Sequence, residues 1–224
     1  ARAYGDPRSG MHIDDARTYF STGKKRFDVI ISEPSNPWVS GVSSLFTKQF
    51  YRFLGQHLNE GGVLVQWLQS YELNDALLAT MLAALQTEFP HIDVYLTNTG
   101  DLLFVSSHQP LPALDAGKIG EPALVAELRR VGLAGNADYA VRRMGSERTV
   151  ATLVRLAGAQ PHSDFYPVVA LQAPRARFIG DAAWQLHLLM ELGMPLLEMT
   201  DGRGPVPLEE QVINTAGGNG PNLH

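Results

Sequence analysis

The stretch Phe27-Asp28-Val29-Ile30-Ile31, running straight into Ser32-Glu33-Pro34-Ser35-Asn36-Pro37, constrains this chain more than any other. A β-branched, nearly all-apolar run of that length reads as a strand buried on both faces, which is the habit of parallel sheets. Two prolines among small polar residues then make a loop. The spacing of Phe46, Phe50, Phe53 and Leu54 predicts an amphipathic helix over Thr47 to His57, ended by Asn59-Glu60-Gly61-Gly62 as a glycine cap. Val63 to Leu68 reads as a second buried strand. Asn74 to Phe89 reads as a helix with Asn74 as N-cap and Pro90 as stop. Ile92 to Leu96 and Leu102 to Val105 read as a hairpin about Asn98-Thr99-Gly100-Asp101, adding one antiparallel edge strand. Upstream, Met11-His12-Ile13 reads as a short strand ending in Asp14-Asp15. Strands alternating with helices imply a parallel sheet with crossovers.

After the Pro-containing stretch Gln109 to Pro112 the pattern turns helical, over about Glu121 to Val131, Ser146 to Ala157 and Asp181 to Leu192. Trp184 to Leu197 is amphipathic and is read as packing on the domain or on a partner subunit. The expected organisation is an α/β domain over 1–108, a helical region over 109–201 and a Gly/Pro/Asn-rich tail over 202–224, its last ten residues mobile.

A formal net charge of −5 argues against a nucleic-acid partner, and no apolar run is long enough to span a membrane. Cysteine is absent, so disulfides, thiolate metal sites and a cysteine nucleophile are excluded. The seven histidines show no paired metal-ligand spacing, so no metal is expected. The chain opens at Ala1 rather than methionine, which suggests processing and sequence upstream.

In an open parallel sheet, ligands bind beyond the carboxyl ends of the strands. Two expected strand ends carry acids there: Asp15 after the first strand and Glu33 after the second. A carboxylate can accept from an adenine amine or a ribose hydroxyl, or take a proton from an attacking amine. Asp15 has a second reading as a helix N-cap, Glu33 as a solvated loop acid, and Trp38 and Trp67 as core aromatics. His162 with Asp164 reads more readily as a surface pair than as a site.

Asp6-Pro7-Arg8, His12-Ile13-Asp14-Asp15-Ala16-Arg17, the strand and Glu-Pro-Ser-Asn-Pro-Trp loop over 27–38, Ser44-Leu45-Phe46, Phe50-Tyr51, Gly61-Gly62 and Gln66-Trp67-Leu68 resemble, in that order, the spermidine synthase family over about residues 5 to 108. His162 to Pro167 and Ala173-Pro174-Arg175 resemble the C-terminal region of its bacterial Glu-Pro-Ser-Asn-Pro-Trp subgroup. The resemblance implies a Rossmann-like fold, here the C-terminal half of a class I methyltransferase-type sheet followed by a mainly helical region. It implies aminopropyl transfer from decarboxylated S-adenosylmethionine to a diamine such as putrescine, without metal. By position, Glu33 would be the catalytic base; Asp15, Ala16 and Pro34 would hold the nucleoside; Asn36, Gln66 and Trp67 would hold the diamine. Glu33 and Asn36 stand where the family carries Asp, and the Gly-rich turn that receives the cofactor is absent. A homo-oligomer or an upstream segment is therefore expected to complete the site, in the cytoplasm, with a membrane tether left open for a longer precursor. Rival readings are an S-adenosylmethionine-dependent methyltransferase, faintly suggested by Asn36-Pro37-Trp38, and a degenerate, non-catalytic binding domain.

Overall fold

The computed structural model describes residues 5–98, 100–112, 120–133 and 135–188. In chain order these form α1 (Ala16–Thr22), β1 (Phe27–Ser32), a short 3-10 turn (Val42–Phe46), α2 (Lys48–Gln56), β2 (Leu58–Gln69), α3 (Asp75–Gln86), β3 (His91–Leu96) and β4 (Asp101–Ser107). There follow α4 (Pro122–Arg130), α5 (Asn136–Ala140), β5 (Arg143–Ser146), α6 (Glu147–Leu156), α7 (Val168–Phe178) and α8 (Trp184–Leu188). The outer parts of the expected helix over Asp181 to Leu192, the stretch to Leu197 and the tail over 202–224 lie outside the described residues.

The five strands form one mixed sheet in the order β1-β2-β4-β3-β5, giving the α/β fold read from the alternation. β1 and β2 are parallel, as two crossover-linked apolar strands require. The hairpin strand β4 runs antiparallel to both β2 and β3. It therefore lies inside the sheet and not at its edge, because β3 passes beyond it and β5 adds to β3. No strand forms at Met11 to Ile13: Ile13 is 95% exposed, and no neighbouring strand offers the hydrogen bonds an extended run would need.

Local chemistry explains most boundaries. Thr47 caps α2 by accepting from the Phe50 N–H, and Asn74 caps α3 by accepting from the Leu77 N–H. Gly61 and Gly62 do not cap α2. They lie within β2, where the span Phe27 to Val29 faces the longer span Leu58 to Val63. That excess is a bulge; Gly61 takes φ +70°, and a Cβ on Gly62 would sit 2.9 Å from the Asn59 carbonyl oxygen. α7 is a helix despite Pro174 in its interior. Val169, Ala173 and Ala176 bury fully or nearly so in the core, offsetting the lost hydrogen bond and the poor helical periodicity that hides the element in the sequence.

One face of the sheet carries Ile30, Leu64, Leu68, Leu102, Phe104, Ile92 and Val94, all buried with Phe46, Phe50, Tyr51 and Leu54 and with α3 residues from Leu77 to Leu85. Burial of each such side chain stabilises the fold by about 1.5–3 kcal/mol. Val150 and Leu153 of α6 and three α7 residues join the same cluster, so the helices beyond residue 109 pack on the core that the strands begin. The register sets Val29, Ile31, Val63, Val65, Trp67, Leu103 and Val105 on the opposite face. There Val29 is 52% and Ile31 69% exposed, and β1 has no partner on its outer edge among the described residues. No helix among the described residues is long and apolar enough to cross a membrane.

Candidate functional site

The end of β1 and the facing part of β2 bring five of the sequence-selected residues together: Glu33, Pro34, Asn36, Gln66 and Trp67. Ser32, the last residue of β1, pairs with Gln66 of β2, so Glu33 leaves the sheet directly beside Gln66 and Trp67. Glu33 is exposed and carries no hydrogen bond or ion pair among the described residues. Pro34 and Asn36 are half-buried and Pro37 is buried. The Asn36 carbonyl accepts from the Val39 N–H at 2.9 Å, closing a turn that two prolines already stiffen. Gln66 is fully buried; its Nε2 donates to the Ser32 and Trp67 carbonyls at 3.3 and 2.8 Å. Its Oε1 is buried with no partner among the described residues, on the core-facing side of β2 between Leu64 and Leu68. Trp67 is half-buried on the less covered face.

Asp15 reaches this end of the molecule by another route. It is exposed and is the N-cap of α1, its Oδ1 accepting from the Thr18 N–H at 2.9 Å. Ala16 opens the helix and packs on the core. Arg17 donates to the Ser44 carbonyl at 2.7 Å and to Thr47 Oγ1 at 3.3 Å, at the start of α2. Phe20 and the Lys25 carbonyl, at the far end of α1, meet His57 at the end of α2. The two helices thus run side by side in the same direction, and Asp15 stands at the end where the Glu33 loop enters α2.

Sequence reading missed how the C-terminal region reaches this end. Asp164 does not pair with His162; it takes a two-pronged ion pair from Arg17, at 3.0 and 2.7 Å. Burial, the largest influence, pushes the Asp164 carboxyl up, but the Arg17 hydrogen bonds and charge, with Thr47 and His162, outweigh it and hold the pKa below its ordinary value. His162 is not a surface residue: it is 1% exposed, and its Nε2 donates to the Ser43 carbonyl at 3.1 Å. Burial holds its pKa below the ordinary histidine value, against the opposing pull of the Ser43 carbonyl and Asp164. Ser163 Oγ accepts from Gln49 Nε2 at 3.2 Å. Further along, the Arg177 guanidinium lies 5.2 Å from the Trp38 ring centroid, and Ala183 N–H donates to the Ser70 carbonyl just after β2. Asp164 stood out only beside His162, and Arg177 not at all, because their true partners Arg17 and Trp38 lie far away in sequence.

A cavity of about 450 Å³ opens between the start of α3 and the outer side of α7, lined by Asn74, Leu171, Gln172, Arg175, Ala176 and Ile179. None of the sequence-selected site residues lines it, so the carboxyl-end cluster, which holds the strand-tip acid Glu33 and the half-buried Trp67, is the better candidate site. No group of three or more His, Asp or Glu among the described residues is arranged to hold a metal ion.

Comparison with known proteins bears on the same stretch. Residues 1–103 match the spermine/spermidine synthase domain. The polyamine aminopropyltransferase of Nitrosomonas europaea is 34% identical over 94 residues, covering 42% of this chain and 29% of that protein. Polyamine aminopropyltransferase 1 of Pseudomonas aeruginosa is 44% identical over 63 residues, covering 28% of this chain and 22% of that protein. Among solved structures, a probable spermidine synthase from Corynebacterium glutamicum aligns with a TM-score of 0.45 at 20% identity, over 70% of this chain and 55% of that one. The chain spans less than a third of the length of these two curated relatives. Residues 1–103, which carry α1, β1, the Glu33 loop and β2, are therefore related by sequence to the spermine/spermidine synthase domain.

Proposed function

We propose that this chain supplies the acceptor side of an aminopropyltransferase, moving an aminopropyl group from decarboxylated S-adenosylmethionine to a diamine such as putrescine. The observation that carries the reading is Glu33, an exposed, unpaired carboxylate delivered by β1 to the sheet's carboxyl end beside Trp67 of β2. The acceptor amine attacks the methylene carbon bonded to the sulfonium. A C–N bond forms, the C–S bond breaks, and its electron pair returns to sulfur, leaving methylthioadenosine. The amine's excess proton passes to Glu33, the general base. Asn36, Gln66 and Trp67 hold the diamine: Trp67 offers an aromatic face to an ammonium, and Gln66 acts from behind the strand by fixing the Ser32 and Trp67 carbonyls. Asp15, Ala16 and Pro34 contact the nucleoside, Asp15 through the oxygen its cap bond leaves free. The reaction belongs to the cytoplasm, where these small molecules meet, and needs no metal.

The free edge of β1 and the apolar face around Val29 and Ile31 support a second part of the reading. Strands that complete the sheet and the nucleoside cradle come from an upstream segment or from a second copy of the chain, covering an edge that would otherwise invite non-specific pairing. The test is calorimetry on the chain with upstream sequence present, ranking methylthioadenosine, decarboxylated S-adenosylmethionine and S-adenosylmethionine, with putrescine turnover alongside. Binding of the decarboxylated compound with transfer to putrescine is the expected result. Methyl transfer from S-adenosylmethionine, or no nucleoside binding, overturns the proposal.

A further inference from the structure

Residues 162–183 pass alongside the loop that follows β1 and are pinned near it at two points. At one, Arg17 ties Asp164 to the Ser44 carbonyl and Thr47 Oγ1. At the other, Arg177 in the last turn of α7 lies over Trp38, while its Nε stands 3.7 Å from a Glu72 carboxylate oxygen. Glu72 has φ +55°, the one non-glycine residue in the left-handed region among the described residues. An L side chain adopts that backbone only where its surroundings impose it. Here they do: Tyr71 bridges to Ala182, the Ala183 N–H donates to the Ser70 carbonyl at 2.8 Å, and the Tyr71 hydroxyl donates to Asp101. The backbone thereby presents the Glu72 carboxylate to Arg177, and Arg177 to the indole.

We infer that Arg177 is a positioning residue for the proposed transfer: lying over the Trp38 ring and paired with Glu72, it fixes the Glu33–Trp38 loop against the end of β2. The helical C-terminal region is in this way a working wall of the site. The inference rests on the reading that the Glu33 loop carries the chemistry. Pro34, Pro37 and the Asn36–Val39 turn make the loop stiff, so holding Trp38 also restrains the residues before it. Without Arg177 the loop visits other conformations. Apparent acceptor affinity then falls with the competent fraction, while the bound, competent complex reacts as before.

The test uses the chain with its upstream sequence, as Arg177→Ala and Arg177→Lys. Trp38 is read alone in a background of Trp67→Phe and Trp184→Phe kept for fluorescence only. Arg177→Ala is expected to raise KM for putrescine about two- to fivefold, the factor equivalent to losing one exposed cation–π contact, with kcat nearly unchanged. It is also expected to make Trp38 more accessible to acrylamide quenching, and Arg177→Lys, which keeps the cation, to recover part of both. Unchanged Trp38 quenching, an unchanged KM, or a fall in kcat alone overturns the role of Arg177. A wild type that transfers nothing to putrescine instead sinks the proposed reaction, while the quenching measurement still decides whether Arg177 holds the loop.

Discussion

Tyr51 shows how a single residue can sit against the grain of its surroundings. It is fully buried, its hydroxyl has no partner among the described residues, and burial pushes its phenol far above the ordinary tyrosine range. An unpaired buried hydroxyl costs free energy that its ring's packing must offset. Tyr51→Phe keeps the ring, so stability is expected to stay level or rise by up to about 1 kcal/mol in urea unfolding. A loss larger than that would mean the hydroxyl has a partner. Glu33 could be singled out from sequence because an apolar strand and two prolines fix where it leaves the sheet, although that strand is not buried on both faces as its composition suggests: only Ile30 is buried, and Val29 and Ile31 lie open on the other face. Asp15 was legible only as two alternatives, and its Thr18 bond shows the capping role without excluding a ligand on the other oxygen. Arg17 and Arg177 carried no signal, since their partners Asp164 and Trp38 are brought near only by the fold.

At the scale of elements, α2, α3, α4, α6 and the four strands β1 to β4 were readable, because each has a period or a cap written in adjacent residues. What was not readable depends on long-range partners. β4 lies inside the sheet because β3 reaches past it; β5 is four residues long; α7 carries a proline that only core burial tolerates. The segment around His162 belongs to this class, and it brings a pH dependence. His162 is buried with a lowered pKa, so the folded chain resists a proton that the unfolded chain accepts below its ordinary value of 6.5. Stability is therefore full above about pH 6.5 and falls as the medium is acidified below it. Asp164 adds to the loss at lower pH: its pKa is depressed in the fold, so the Arg17 pair stabilises above the ordinary value of 3.8 and disappears as pH falls through the folded value. Urea midpoints between about pH 8 and pH 5 measure the first effect. His162→Gln, which keeps a donor to the Ser43 carbonyl, is expected to flatten the slope below pH 6.5; an unaltered slope would assign it to another group.

For the molecule as a whole, the fold places one well-packed face against helices and leaves the other face and one edge uncovered among the described residues. Under the proposed reading this exposed apolar surface is where the completing strands pack. The 224-residue chain alone is expected to bind a hydrophobic dye and to self-associate in light scattering, and Ile31→Lys to reduce both with a stability change within about 0.5 kcal/mol. A monomer that binds no dye would contradict the uncovered face. The same geometry sets the central claim, that β1 delivers a general base to an acceptor site shaped by β2 and α7. Its most direct measurement is the rate of methylthioadenosine release from decarboxylated S-adenosylmethionine and putrescine, with upstream sequence present, for wild type and Glu33→Gln. The expected result is a fall of about a hundredfold or more with nucleoside binding kept; equal rates for the two proteins would contradict it.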